Sequence, residues 1–147
     1  MVRTTGRIAA AALLLTATPA AAESWRLSGR SADGPGASVF LIDMDSIERE
    51  GDHVRFTTQS VYRSTTESRD FDRSIIERVG NCALGASIIV RGIYHRGNTV
   101  LDDNRWPGDI IKHSPGSLME STLQVACGRI APEGPVVANP QMHKWFD

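Results

Sequence analysis

Lysine is nearly missing from this chain. Of its 16 Lys and Arg residues only Lys112 and Lys144 are lysines, a bias we read as base composition and not as chemistry. Neither sign of charge dominates, because 17 acidic residues stand against those 16. No basic patch or stripe appears, which argues against a nucleic-acid partner. No polybasic run points to an anionic membrane surface. No apolar run reaches the ~20 residues that a membrane-spanning helix needs. Cysteine is scarce too: Cys82 and Cys127 are the only two. They lack the C-x-x-C spacing of zinc and redox sites, so metal and thiol chemistry are weakly supported.

The most apolar stretch opens the chain, in "MVRTTGRIAAAALLLTATPAAAESW". Arg3 and Arg7 precede about ten apolar residues from Ile8 to Ala17, and the small residues Ala20, Ala21 and Ala22 follow. That is the layout of a secretory signal over residues 1–22, with the mature chain starting at Glu23. No cysteine lies near the cut, so the expected product is released without a lipid anchor. Removing the segment leaves 14 basic and 17 acidic residues, a net charge of −3. The remaining ~125 residues suit one domain. We expect that domain over residues 23–130, followed by a proline-containing tail over 131–147.

Export changes what two cysteines mean, because disulfides persist in oxidising compartments. Cys82 and Cys127 allow one intramolecular bridge, closing a loop of roughly 45 residues worth about 4 kcal/mol in the chain-entropy model. A small domain's total stability is only about 5–15 kcal/mol. A metal pair, a catalytic thiol and an intermolecular bridge are the alternatives; the structural disulfide is the preferred reading.

Residues 25–27 read as a short extended start, and "SADGPGA" as a loop. "SVFLIDM", residues 38–44, reads as a strand buried on both faces. "DSIER" then suggests one short turn capped by Asp45. Residues 53–63 alternate with period 2, placing Val54, Phe56 and Thr58 on one face. The phase breaks near Ser60, Val61 and Tyr62, where a bulge would restore it. Residues 71–82 are ambiguous, but the β-branched Ile75, Ile76 and Val79 favour a strand. A strand ending at His95, a turn at Gly97-Asn98 and a return strand from Thr99 form a hairpin. Gly92 inside it marks a bulge or twist point.

"SPGSLMESTLQVACG" reads as a short amphipathic helix over residues 118–127. Ser117 and Glu120 have capping-box spacing, and Gly128 stands where a left-handed cap belongs. So short a helix is marginal alone and must pack on the sheet. A bridge from Cys127 to Cys82 would fasten it there. The fold class is therefore α+β: an antiparallel sheet, a C-terminal helix packed on it, and one disulfide. Trp145 and Phe146 end the tail, either packing back or left exposed.

Reactive side chains give little. His53 and His95 fall on different strands, where Asp43 and Asp45, or Asp102 and Asp103, would complete a metal site. Neither they nor His113 and His143 have a metal-binding spacing. No G-x-S-x-G elbow exists, and Ser117 is better explained as a cap. Asp102, Asp103 and Asp109 read as solvated turn residues before an acid–base pair. "GNTVLDDN" lacks a full calcium loop. No catalytic residue, metal ligand or cofactor is assigned, and the expected protein is not an enzyme.

One pattern is more telling as a whole. An opening Trp25 is followed by Asp43, Ser46 and Ile47, then Gly51 and Val54. Cys82, Trp106, Pro115-Gly116-Ser117 and Cys127 complete the order. This resembles the surface-adhesin protein E family, small exported proteins of Gram-negative bacteria, over about residues 25–127. The resemblance implies an antiparallel sheet with a packed helix and a disulfide. It also implies adhesion, or binding of another macromolecule at the cell envelope or host matrix; the sheet's outer face or edge strands would be the contact surface, since an exposed edge can accept a partner's strand. A periplasmic envelope protein, as a small-ligand binder or a structural or stress component, is the other reading. The periplasm is the expected location, with surface display and secretion open.

Overall fold

The computed structural model describes residues 24–31, 34–105, 108–138, 140 and 144–146. The segment expected to be a secretory signal, Trp106, Pro107 and His143 lie outside the described residues. The strands are β1 (Trp25–Arg30), β2 (Ser38–Glu50), β3 (His53–Tyr62), β4 (Arg73–Asn81), β5 (Ala86–Arg96), β6 (Thr99–Arg105), β7 (Ile111–Lys112) and β8 (Val136–Val137), with helix α1 (Leu118–Ala126) between the last two. One antiparallel sheet runs in the order β6-β5-β4-β3-β2-β1-β8, and β7 pairs with another part of β5. Neighbours in the chain are mostly neighbours in the sheet, because short turns at Gly51 and Gly97 reverse it in place. The architecture is the expected one: an antiparallel sheet, one helix near the C-terminus and a disulfide.

Both faces of β2 are buried, as its sequence predicts. Ile42 joins Val54, Phe56, Leu123, Val125 and Ala126 beneath the helix. Val39 and Leu41 point the other way, into a second cluster with Trp25, Val137 and Trp145. The end of the chain builds that second core. Trp145 packs back, its indole N–H donates to the Pro140 carbonyl at 2.8 Å, and Phe146 lies against the cluster.

This arrangement explains a misread phase. The sequence suggests a bulge near Ser60–Tyr62, but β3 pairs with β4 in continuous register from His53 to Val61. Val61 simply faces the second core, which the tail covers. The alternation changes because the opposite face becomes buried. The turn expected at residues 45–49 is also absent: β2 continues through it with a large bulge. Its register steps from Asp43, opposite Thr57, to Glu48, opposite Arg55. Ser46 holds the bulge, since its Oγ accepts from the Thr57 amide at 2.8 Å and donates to the Asp43 carbonyl at 2.7 Å. One hydroxyl replaces the interrupted ladder. The D-x-x-S spacing was visible in the sequence, but it serves a bulge and not a helical turn.

The helix begins and ends as expected. The Ser117 side chain accepts from the Glu120 amide at 3.1 Å. The reciprocal half of the capping box does not form, because the Glu120 carboxylate accepts from Gln124 at 2.9 Å instead. At the other end Gly128 takes φ +71°. Its amide donates to Val125 and that of Arg129 to Gln124, a Schellman closure. Helix and sheet meet closely at Gly80, where a Cβ would stand 2.5 Å from Leu123 Cδ1. The Cys82–Cys127 disulfide ties the helix end to the residue after β4, with Cα atoms 5.8 Å apart.

Candidate binding surface

The structure separates the histidines that the sequence left free to meet. His53 pairs with Asn81 at one end of β4, and His95 pairs with Arg73 at the other. At ~3.3 Å per residue that is about 26 Å. His95 is buried, and among the described residues its Nδ1 has no hydrogen-bond partner. Burial holds its pKa below the ordinary histidine value, with Arg73 adding to the effect and Asp72 opposing it. His113 is also buried, its Nε2 lying 2.8 Å from Ser87 Oγ. Burial and the nearby Arg78 lower its pKa, against Glu120. Among the described residues no group of three or more His, Cys, Asp or Glu is placed to hold a metal.

The aspartates considered as an acid–base pair are also divided. Asp102 and Asp103 are consecutive in β6 and point to opposite faces. Asp103 takes a two-pronged interaction from Arg91, at 2.8 and 2.7 Å. Arg91 also reaches Glu77 at 2.9 Å, so three neighbouring strands share one guanidinium. Asp102 instead accepts from Asn104 at 2.6 Å, on the side of Tyr94. Asp109 is exposed and separate from both.

β6 and β7 together form the outer edge of the sheet. All seven residues of β6 are exposed, and among the described residues its one strand partner is β5. Val100 and Leu101 of β6 are exposed, as are Ile110 and Ile111 at β7. Leu84, in the turn before β5, adds a further apolar side chain at 64% exposure. Of the large hydrophobic residues exposed among the described residues, only Ile130 and Val136 lie elsewhere. A shallow groove lined by Val79, Leu84, Ile88 and Ile110 continues the patch onto the sheet face.

The other face beside β6 carries an aromatic group. Tyr62 and Phe71 meet edge to face at 5.7 Å, and Phe71 and Tyr94 at 4.8 Å. Arg69 lies over Tyr62, 3.8 Å from the ring centre. The loop fixes that arginine by hydrogen bonds to the Ser64 and Phe71 carbonyls. Sequence reasoning did not bring these rings together. The three aromatics sit on β3, β5 and the loop between β3 and β4, so only the strand order makes them neighbours.

The family model of surface-adhesin protein E matches residues 25–128. The chain belongs to that family. The match spans β1 through the end of α1 and includes both cysteines, so it covers β1 to β7, the helix and the bridge between them, and leaves out only β8 among the strands. The tail that completes the second core lies beyond the matched residues. No curated protein matches the chain.

Proposed function

We propose that this adhesin-family protein is exported and acts without catalysis, binding another protein through the edge formed by β6 and β7. Exposed apolar side chains at both ends of that edge carry the reading: Val100 and Leu101 beside His95, and Leu84, Ile110 and Ile111 beside Ala86 and Ser87. An edge strand offers unpaired backbone donors and acceptors to an incoming strand. Exposed apolar side chains beside it supply the water-excluding contacts such pairing needs. Charged Asp102, Asp103 and Arg105 keep the same edge from pairing indiscriminately.

Two cheap observations test this. The first is protease digestion on intact cells, compared with cells whose outer membrane has been opened. Digestion on intact cells supports surface display. Protection until the membrane is opened contradicts it and moves the partner into the periplasm. The second is saturable binding of the mature protein to a panel of surface-coated extracellular-matrix proteins, expected for an adhesin.

A further inference from the structure

A second feature lies on the helix-covered face and is independent of the sheet edge. Arg78, in the middle of β4, is only 9% exposed. Phe56 pairs with it on one side and Ile89 on the other. Its Nε donates one long hydrogen bond, 3.4 Å, to Thr58 Oγ1. The Thr58 hydroxyl in turn donates its own hydrogen bond to the Ile76 carbonyl, also at 3.4 Å. Among the described residues Arg78 has no carboxylate partner, and its two Nη groups have no hydrogen-bond acceptor.

A guanidinium carries five N–H donors and is rarely buried unless paired. The titratable groups acting on Arg78 and its neighbours do not supply a counter-charge. Tyr94 is held protonated by burial, and His113 is held neutral by burial and by Arg78 itself. Glu120 acts on His113, and Asp102 on Tyr94. Burial pulls the Arg78 pKa down to about 10, which still leaves it charged at neutral pH. Its side chain reaches Thr58, whose strand partner Ile76 lies opposite Gly92. Tyr94, partly exposed and opposite Ser74 on β4, acts on Arg78 electrostatically and has a phenol that can donate.

We infer that the Nη groups of Arg78, with Tyr94, form a site for an oxyanion, either a tetrahedral sulfate or phosphate group or a carboxylate. The fork of Nη donors suits either shape. The anion would supply the charge that the surrounding strands do not.

Thermal unfolding of the mature protein in sulfate, phosphate or acetate, against chloride at equal ionic strength and pH, tests this. Sulfate stabilises most proteins by exclusion from their surface, an effect that does not saturate at millimolar concentration. The site predicts a Tm rise that does saturate. Arg78→Met should fold and lose the saturable component, leaving only the gradual rise. Arg78→Lys keeps the charge but not the fork, and should need roughly tenfold more anion for half the effect. A response to sulfate and phosphate alone assigns a tetrahedral group, and a response to acetate as well assigns a carboxylate. Identical curves for the wild type and Arg78→Lys, or no saturable rise in the wild type, would overturn the site.

Discussion

Ser46 shows how much one hydroxyl can do in a sheet. It bridges Thr57 and Asp43 where β2 leaves its register, so a half-buried part of the ladder stays satisfied. Ser46→Ala removes both bonds and leaves the Thr57 amide without its acceptor. The expected loss is about 1–3 kcal/mol, read as a lower urea midpoint with an unchanged slope. His95 and His113 make a different demand, because both are kept neutral in the folded chain. The unfolded chain takes up protons near the ordinary value of about 6.5. Above that pH both states are neutral and the histidines contribute nothing. Below it the unfolded state binds more protons, so stability falls with pH until the lowered folded values are reached. Urea midpoints should therefore drop between pH 7 and pH 5. Replacing both histidines with glutamine should flatten that slope.

At the scale of the element, helix α1 depends on groups outside it. Its last turn holds no basic residue, yet Arg49 of β2 donates to the Ala126 carbonyl at 2.6 Å. A cation thus meets the negative end of the helix dipole from the sheet. Arg49→Ala should cost roughly 1–2 kcal/mol, and Ser117→Ala about 1 kcal/mol through the lost cap. Thermal unfolding of each variant checks these values, and their near-additivity would show the two helix ends acting independently. The cap at Ser117 and the stop at Gly128 were legible in the sequence because both are local signals. Arg49 was not, since 77 residues separate it from Ala126. The bulge at Ser46 was half legible: its residues stood out, but a local turn and a long-range bulge leave the same trace.

For the whole molecule, the sheet is held from two sides by different parts of the chain. The helix and its disulfide cover one face, and the tail bearing Trp145 covers part of the other. The 45-residue separation of Cys82 and Cys127 puts the bridge at about 4 kcal/mol in the entropy model. Reduction under native conditions should lower the urea midpoint by a corresponding amount, and a Cys82→Ser, Cys127→Ser double variant should match the reduced protein. The main strands, the hairpin at Gly97 and the disulfide followed from periodicity, turn chemistry and cysteine count. The aromatic group of Tyr62, Phe71 and Tyr94, and the buried Arg78, were not legible. Both arise from cross-strand register, which no short window of sequence records.

The edge itself gives the most direct test. Val100→Lys with Leu101→Lys places two charges on exposed positions of β6, where they blunt strand pairing without touching either core. Far-ultraviolet circular dichroism and Tm should match the wild type. Binding isotherms of both proteins on the same matrix-protein panel then decide the matter. The account predicts that wild-type binding saturates and that the double variant binds at least about tenfold more weakly, a loss of roughly 1.4 kcal/mol. Equal affinity of a folded double variant would contradict it and would place the contact surface away from β6.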